Sequence, residues 1–204
     1  YISIIGSIEG HIALPMENKT TKYEHLIPQL IAVEENPKLR GLLVILNTMG
    51  GDVEAGLALA EMIATLSKPT VSLVLGGGHS IGIPLATATD YSFIAGTATM
   101  TLHPIRTTGL VITAETTFDY MRKTQDRVID FIAGHSRATR KRVTELMNCS
   151  DNMSNDVGTI LFGKEAVDAG IIDAVGGVSQ ALGELRRRVA KVDELEKEIS
   201  ISTD

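Results

Sequence analysis

Ser80 stands in Gly78-His79-Ser80-Ile81-Gly82, a literal G-x-S-x-G pattern. Glycines permit a tight turn that holds a hydroxyl exposed at a helix start, and the first N–H groups of that helix are donors for an oxyanion. A serine after a glycine turn also serves as an ordinary helix N-cap, so the pattern alone leaves both readings open. A second junction of the same kind lies in "LNTMGGD", 46–52. Gly50 and Gly51 there leave bare backbone for a substrate chain to approach, and the Gly51 N–H is placed to face negative charge. The plainer alternative is a turn capped by Asp52. Two such junctions at the ends of two parallel strands would share one crevice.

A serine hydroxyl is a weak nucleophile without a base, and the chain has five histidines. His103, in "TLHP", ends a strand beside a loop. His79 adjoins Ser80, so its side chain should point elsewhere. His135 sits near a helix end, where a cation is favourable anyway. His11 and His25 read as surface residues. His103 is therefore the favoured base. An acid should orient it, and Asp90, Asp119, Asp126, Asp130, Asp151 and Asp156 all follow Ser80; spacing alone does not choose among them. Ser80 with Asp119 or Asp130 and then His135 would instead follow the α/β-hydrolase order, against which the short chain and the "TLHP" segment both argue.

These residues need a frame. Residues 1–8 alternate like a strand, and 23–36 has helical spacing with Pro28 expected near the first turns. The apolar run 39–47 suits a strand covered on both faces. Helix 52–67 follows, with Asp52 at its start, then strand 70–75 and a short helix over 80–88. Two short strands precede a long helix, 113–136, with an apolar stripe of Phe118, Met121, Val128, Ile129 and Ile132. A further helix, 136–147, takes Ser136 as its expected cap. Segments 159–162, 163–170 and 171–175 read as strand, helix and strand. The tail, 178–199, is an amphipathic helix that either packs on this domain or meets another subunit. Strands alternating with helices predict one α/β domain over 1–204 with a mostly parallel sheet.

The 204 residues and 44% hydrophobic content suffice for one sizeable core. A net charge of −6 without a basic, aromatic-laced patch argues against nucleic acid. The single cysteine, Cys149, cannot form an internal disulfide, which fits a reducing, cytoplasmic compartment. No Cys/His cluster suggests a metal, and no cofactor is expected. No run approaches the about 20 apolar residues of a transmembrane helix. The strand-like start without Met suggests that a leader or N-terminal arm precedes Tyr1.

Together "LNTMGGDVEAG", "GGGHSIG", "TLHP" and "AVDAGIIDAV" resemble, in order and spacing over nearly the whole chain, the proteolytic subunit of the Clp protease, ClpP. The "GGGHSIG" and "DVGT" segments resemble in particular its translocation-enhancing subgroup. The resemblance implies a ClpP/crotonase fold and a serine peptidase core that assembles into heptameric or stacked rings. It implies Ser80 as nucleophile, His103 as general base, and the N–H groups of Gly51 and Ile81 as the oxyanion hole. Helix 113–135 would be the handle between rings. Counted back without gaps from "KEAV", the family's aspartate falls on Gly158, and the nearest acid is Asp156. Met49 replaces a proline of the family, and His79 a small residue. The axial loops that meet an unfoldase have no visible counterpart, which gives no ground for expecting dependence on a Clp-type ATPase.

Serine endopeptidase chemistry on extended polypeptide is the leading expectation. A ring-forming protein that assists translocation without catalysis, and the hydrolase-like esterase, are its alternatives. A crotonase-type acyl-CoA enzyme would share the fold but has no need of a Ser/His pair.

Overall fold

A computed structural model describes residues 1–106, 113–150 and 157–202. Three parallel strands form its centre: β1 (Ile2–Glu9), β3 (Leu42–Gly51) and β4 (Thr70–Gly78). β2 (Thr20–Lys22) adds to the outer side of β1, while β5 (Tyr91–Ile94) and β8 (Ala174–Val175) extend the sheet beyond β4. β6 (Thr99–Leu102) bridges to the glycine end of β4 at Gly77 and runs antiparallel to β7 (Thr159–Phe162). Every other pairing is parallel. This is the mostly parallel ClpP-like α/β arrangement that the sequence predicts.

The two-faced burial of β3 explains its continuous apolar run. Leu42, Val44 and Leu46 join the larger core with α1 (Tyr23–Glu35) and α2 (Val53–Ala64), whereas Leu43 joins a second cluster with Val71, Leu73 and Phe93 on the other face. Alternation along a strand divides neighbours in this way. The second cluster is closed by Ala181, Leu182 and Leu185 of α7 (Val178–Ser202), so the tail helix does pack on its own chain. Asp52 caps α2 as expected, its Oδ1 accepting from the Ala55 N–H at 2.8 Å. Pro28 lies in the second turn of α1.

Several elements depart from the expectation. β3 and β4 continue through their glycines to Gly51 and Gly78, because backbone pairing with β1 and β3 needs no side chain. The polar β2 was not expected; it exists through its register with Ser7, Ile8 and Glu9. The long helix is α4 (Ala114–Gly134), and only its second half meets the core: Val128, Ile129 and Ile132 are buried, but Phe118 is 68% exposed. The next helix, α5 (Arg140–Met147), is capped by Thr139, whose hydroxyl accepts from Arg142, rather than by Ser136. The remaining helices are the short α3 (Gly82–Thr87) and α6 (Gly163–Asp168).

Candidate active site

β3 and β4 end side by side, Thr48 pairing with Gly78, so their two glycine junctions meet. The chain then leaves β4 through two bonds: His79 N–H donates to the Thr48 carbonyl (3.1 Å), and Ser80 N–H to the Thr101 carbonyl in β6 (2.9 Å). Ser80 has φ +55°, and it is the only non-glycine residue with positive φ among the described residues. That conformation costs about 1–3 kcal/mol and persists only where the surroundings enforce it. Gly50 is one of those surroundings. A Cβ there would sit 2.7 Å from the Ser80 Cβ and 3.3 Å from its Oγ.

Ser80 is not a helix cap. α3 is entered through Ile81 without a side-chain capping bond, and the Ser80 Oγ has no hydrogen-bond partner among the described residues. The hydroxyl instead borders a cavity of about 150 Å³ that Gly51, Ile81 and His103 also line. The other wall is mostly apolar, with Val53, Ile83, Leu102, Val128, Ile132 and Met147. The Ile81 N–H finds no acceptor among the described residues.

His103 follows directly on β6, so the strand that receives the Ser80 N–H also carries the imidazole. Its Nδ1 lies 2.7 Å from the Pro104 carbonyl oxygen. A carbonyl only accepts, so Nδ1 carries a proton, and in the neutral ring the lone pair is then on Nε2. That is the tautomer a general base requires. No hydrogen bond joins Ser80 Oγ to His103 here, although both line the same cavity; such bonds commonly tighten only around substrate. Gly158 has φ +141° and lies against the Leu102 carbonyl and the Cα and Cβ of His103. A Cβ at 158 would overlap the Leu102 carbonyl oxygen and fall 3.0 Å from the His103 Cβ, so an aspartate does not fit this backbone conformation. Asp156 and Asp151 lie outside the described residues.

The other candidates are engaged elsewhere. His135 stacks on Phe131, bonds its carbonyl through Nδ1 (2.8 Å), and lines a separate cavity with Glu54 and Arg127 that excludes Ser80. Asp119 pairs with Arg122, and Asp126 and Asp130 both pair with Arg140. Asp90 accepts from the Thr70 N–H. The hydrolase-like triad through His135 is therefore not assembled. His11 and His25 are exposed, as expected. Sequence reading missed Thr101 and the Pro104 carbonyl, because their parts depend on contacts across the fold. It also missed the apolar wall, whose residues come from five separate segments.

The mostly parallel sheet, with a serine turn and a strand-end histidine lining one cavity, is a ClpP-like arrangement. Residues 2–179 match the Clp protease family, and the chain belongs to it. It is 58% identical over 190 residues to the translocation-enhancing protein TepA of Halalkalibacterium halodurans, covering 93% of this chain and 74% of that protein. It is 25% identical over 186 residues to the ATP-dependent Clp protease proteolytic subunit of Streptococcus uberis, covering 85% and 83%.

Proposed function

We propose that the chain is a serine endopeptidase acting on extended polypeptide, with Ser80 as nucleophile and His103 as general base. The observation that carries this reading is the strained Ser80 turn. Its hydroxyl has no partner among the described residues, and Ser80 lines a cavity together with His103, Gly51 and Ile81. In the proposed reaction Ser80 Oγ bonds to the amide carbonyl carbon while Nε2 of His103 takes the hydroxyl proton. The N–H groups of Gly51 and Ile81 receive the oxyanion, each such donor being worth roughly 3 kcal/mol. Collapse breaks the C–N bond, and His103 returns its proton to the leaving amine. Water then repeats the sequence on the acyl-enzyme. Asp156 is the proposed third member, the acid that would accept from His103 Nδ1 during turnover.

The cavity of about 150 Å³ suits one medium apolar side chain beside the scissile bond. The substrate backbone would run extended along a strand edge, by strand addition. Membership of the Clp protease family supports assembly into homo-oligomeric rings, with α4 as the element between rings. Labelling with a fluorophosphonate tests the chemistry: the chain should be acylated at Ser80, and Ser80→Ala should remove the label. Labelling that persists in Ser80→Ala would overturn the assignment.

A second reading has its own observations. The Pro104 carbonyl holds Nδ1 of His103, the His103 ring makes no bond to the Ser80 hydroxyl, and a relative is named for enhancing translocation. In that reading the protein assists translocation as a ring without turnover. An assembled ring with an intact, unlabelled Ser80 would favour it.

A further inference from the structure

We propose that His79 is a positioning residue that clamps the Ser80 turn to β6 through Thr101 and so sets the spacing between Ser80 and His103. The inference rests on the reading of those two residues as the reacting pair.

Two separate bonds join the same segments. The Ser80 N–H donates to the Thr101 carbonyl at 2.9 Å. One residue earlier, Nδ1 of His79 lies 2.8 Å from the Thr101 hydroxyl. Thr101 is thus held by both its main chain and its side chain. His103 lies two residues further along the same chain, just past the end of β6 at Leu102 and roughly 7 Å away. Whatever fixes Thr101 against the turn therefore fixes where the imidazole of His103 begins.

His79 is itself rigidly placed. Its N–H donates to the Thr48 carbonyl (3.1 Å), and its carbonyl accepts the Gly82 N–H (2.9 Å). Its ring lies along the backbone of Gly77, where an added Cβ would come within 2.5 Å of Nε2. Burial, and then the neighbouring charge of His103, push His79 below the usual histidine range. The ring is consequently neutral at neutral pH and bonds the hydroxyl without placing a cation beside the base. The strain at Ser80 gives the clamp its purpose: with one link to β6 rather than two, the turn can relax and carry Oγ away from the cavity.

The test is made on the full chain by fluorophosphonate labelling rates and amide hydrogen exchange. His79→Ala and Thr101→Val should each slow labelling about 10- to 100-fold, the scale of a misplacement near 1 Å. The double variant should be no more than about threefold slower than the worse single one, because both changes break one link. His79→Asn, whose amide can occupy the place of Nδ1, should recover the wild-type rate to within about threefold. Independent, multiplying effects, or an Asn variant as slow as Ala, would overturn the clamp. Exchange of the Ser80 amide should quicken about tenfold in either single variant, whether or not Ser80 is reactive. Unchanged exchange also overturns the clamp. Faster exchange in a protein whose wild type takes no label at Ser80 overturns the catalytic reading, and the positioning role with it, but leaves the link to β6 standing.

Discussion

The two glycine junctions begin alike and end differently. After Gly50 and Gly51 the chain enters α2 through Asp52, whose carboxylate accepts the Ala55 N–H and completes the helix start. After Gly78 it passes through His79 and Ser80 into α3, and no side chain caps that helix. Asp52 and Ser80 are both competent caps, but only the first is used to complete a helix start. The first is a well-formed local structure. The second leaves the Ser80 hydroxyl unpaired, the Ile81 N–H without an acceptor among the described residues, and the serine backbone in a strained conformation. Local incompleteness of this kind marks a place where long-range contacts, here from Gly50 and Thr101, hold what the local sequence does not favour.

The difference can be broken most severely at the point where the junctions touch. Gly50 has φ +92°, and a side chain there would press on Ser80. Gly50→Ala should therefore cost about 1–3 kcal/mol in denaturant melts and slow Ser80 labelling roughly 100-fold. A variant that labels at the wild-type rate would mean that Gly50 plays no part in shaping the turn. Asp52→Ala should cost about 1 kcal/mol, the usual loss on removing an N-cap, and change labelling less than about threefold. Ser80→Gly should have the opposite sign on stability. Glycine accepts φ +55° without strain, so this variant should gain about 0.5–1 kcal/mol while losing all labelling. A Ser80→Gly variant less stable than wild type would show that the hydroxyl stabilises the fold after all, as a cap would.

The sequence made the frame legible wherever burial was decided by a whole run of residues. β3 and β4 could be read because strands covered on both faces need apolar residues at consecutive positions. Periodicity served less well in α4, where it named an apolar stripe but not what covers it; Phe118 belongs to the stripe and faces outward. The cap of α5 was misplaced by three residues because Ser136 and Thr139 are both competent, and tertiary packing decides between them. At the site, the glycines, Ser80 and His103 were legible from residue type and order. The sign of φ at Ser80 was not, since pairing with β6 and the close approach of Gly50 establish it. Counting places the family's aspartate on Gly158 but does not show how closely that glycine approaches the Leu102 carbonyl.

The smallest expected effect separates the junctions by pH. His79 has its pKa lowered, first by burial and then by the charge of His103, while an unfolded histidine titrates near about 6.5. Between the two values the unfolded chain binds more protons than the folded one, so acidification favours unfolding. The stability that comes from holding His79 neutral is present above the unfolded pKa and is lost as pH falls through the folded one. His79→Asn has no such proton to take up. The difference in unfolding free energy between wild type and His79→Asn should therefore be constant above about pH 7.5 and move against the wild type below about pH 6.5. Asp52→Ala, set in the same comparison, should show no histidine-range inflection, because no imidazole changes there. Parallel curves for wild type and His79→Asn from pH 8 to 5 would mean that His79 is solvated in the folded chain. The second junction would then differ from the first only in its strain, not in the burial of its histidine.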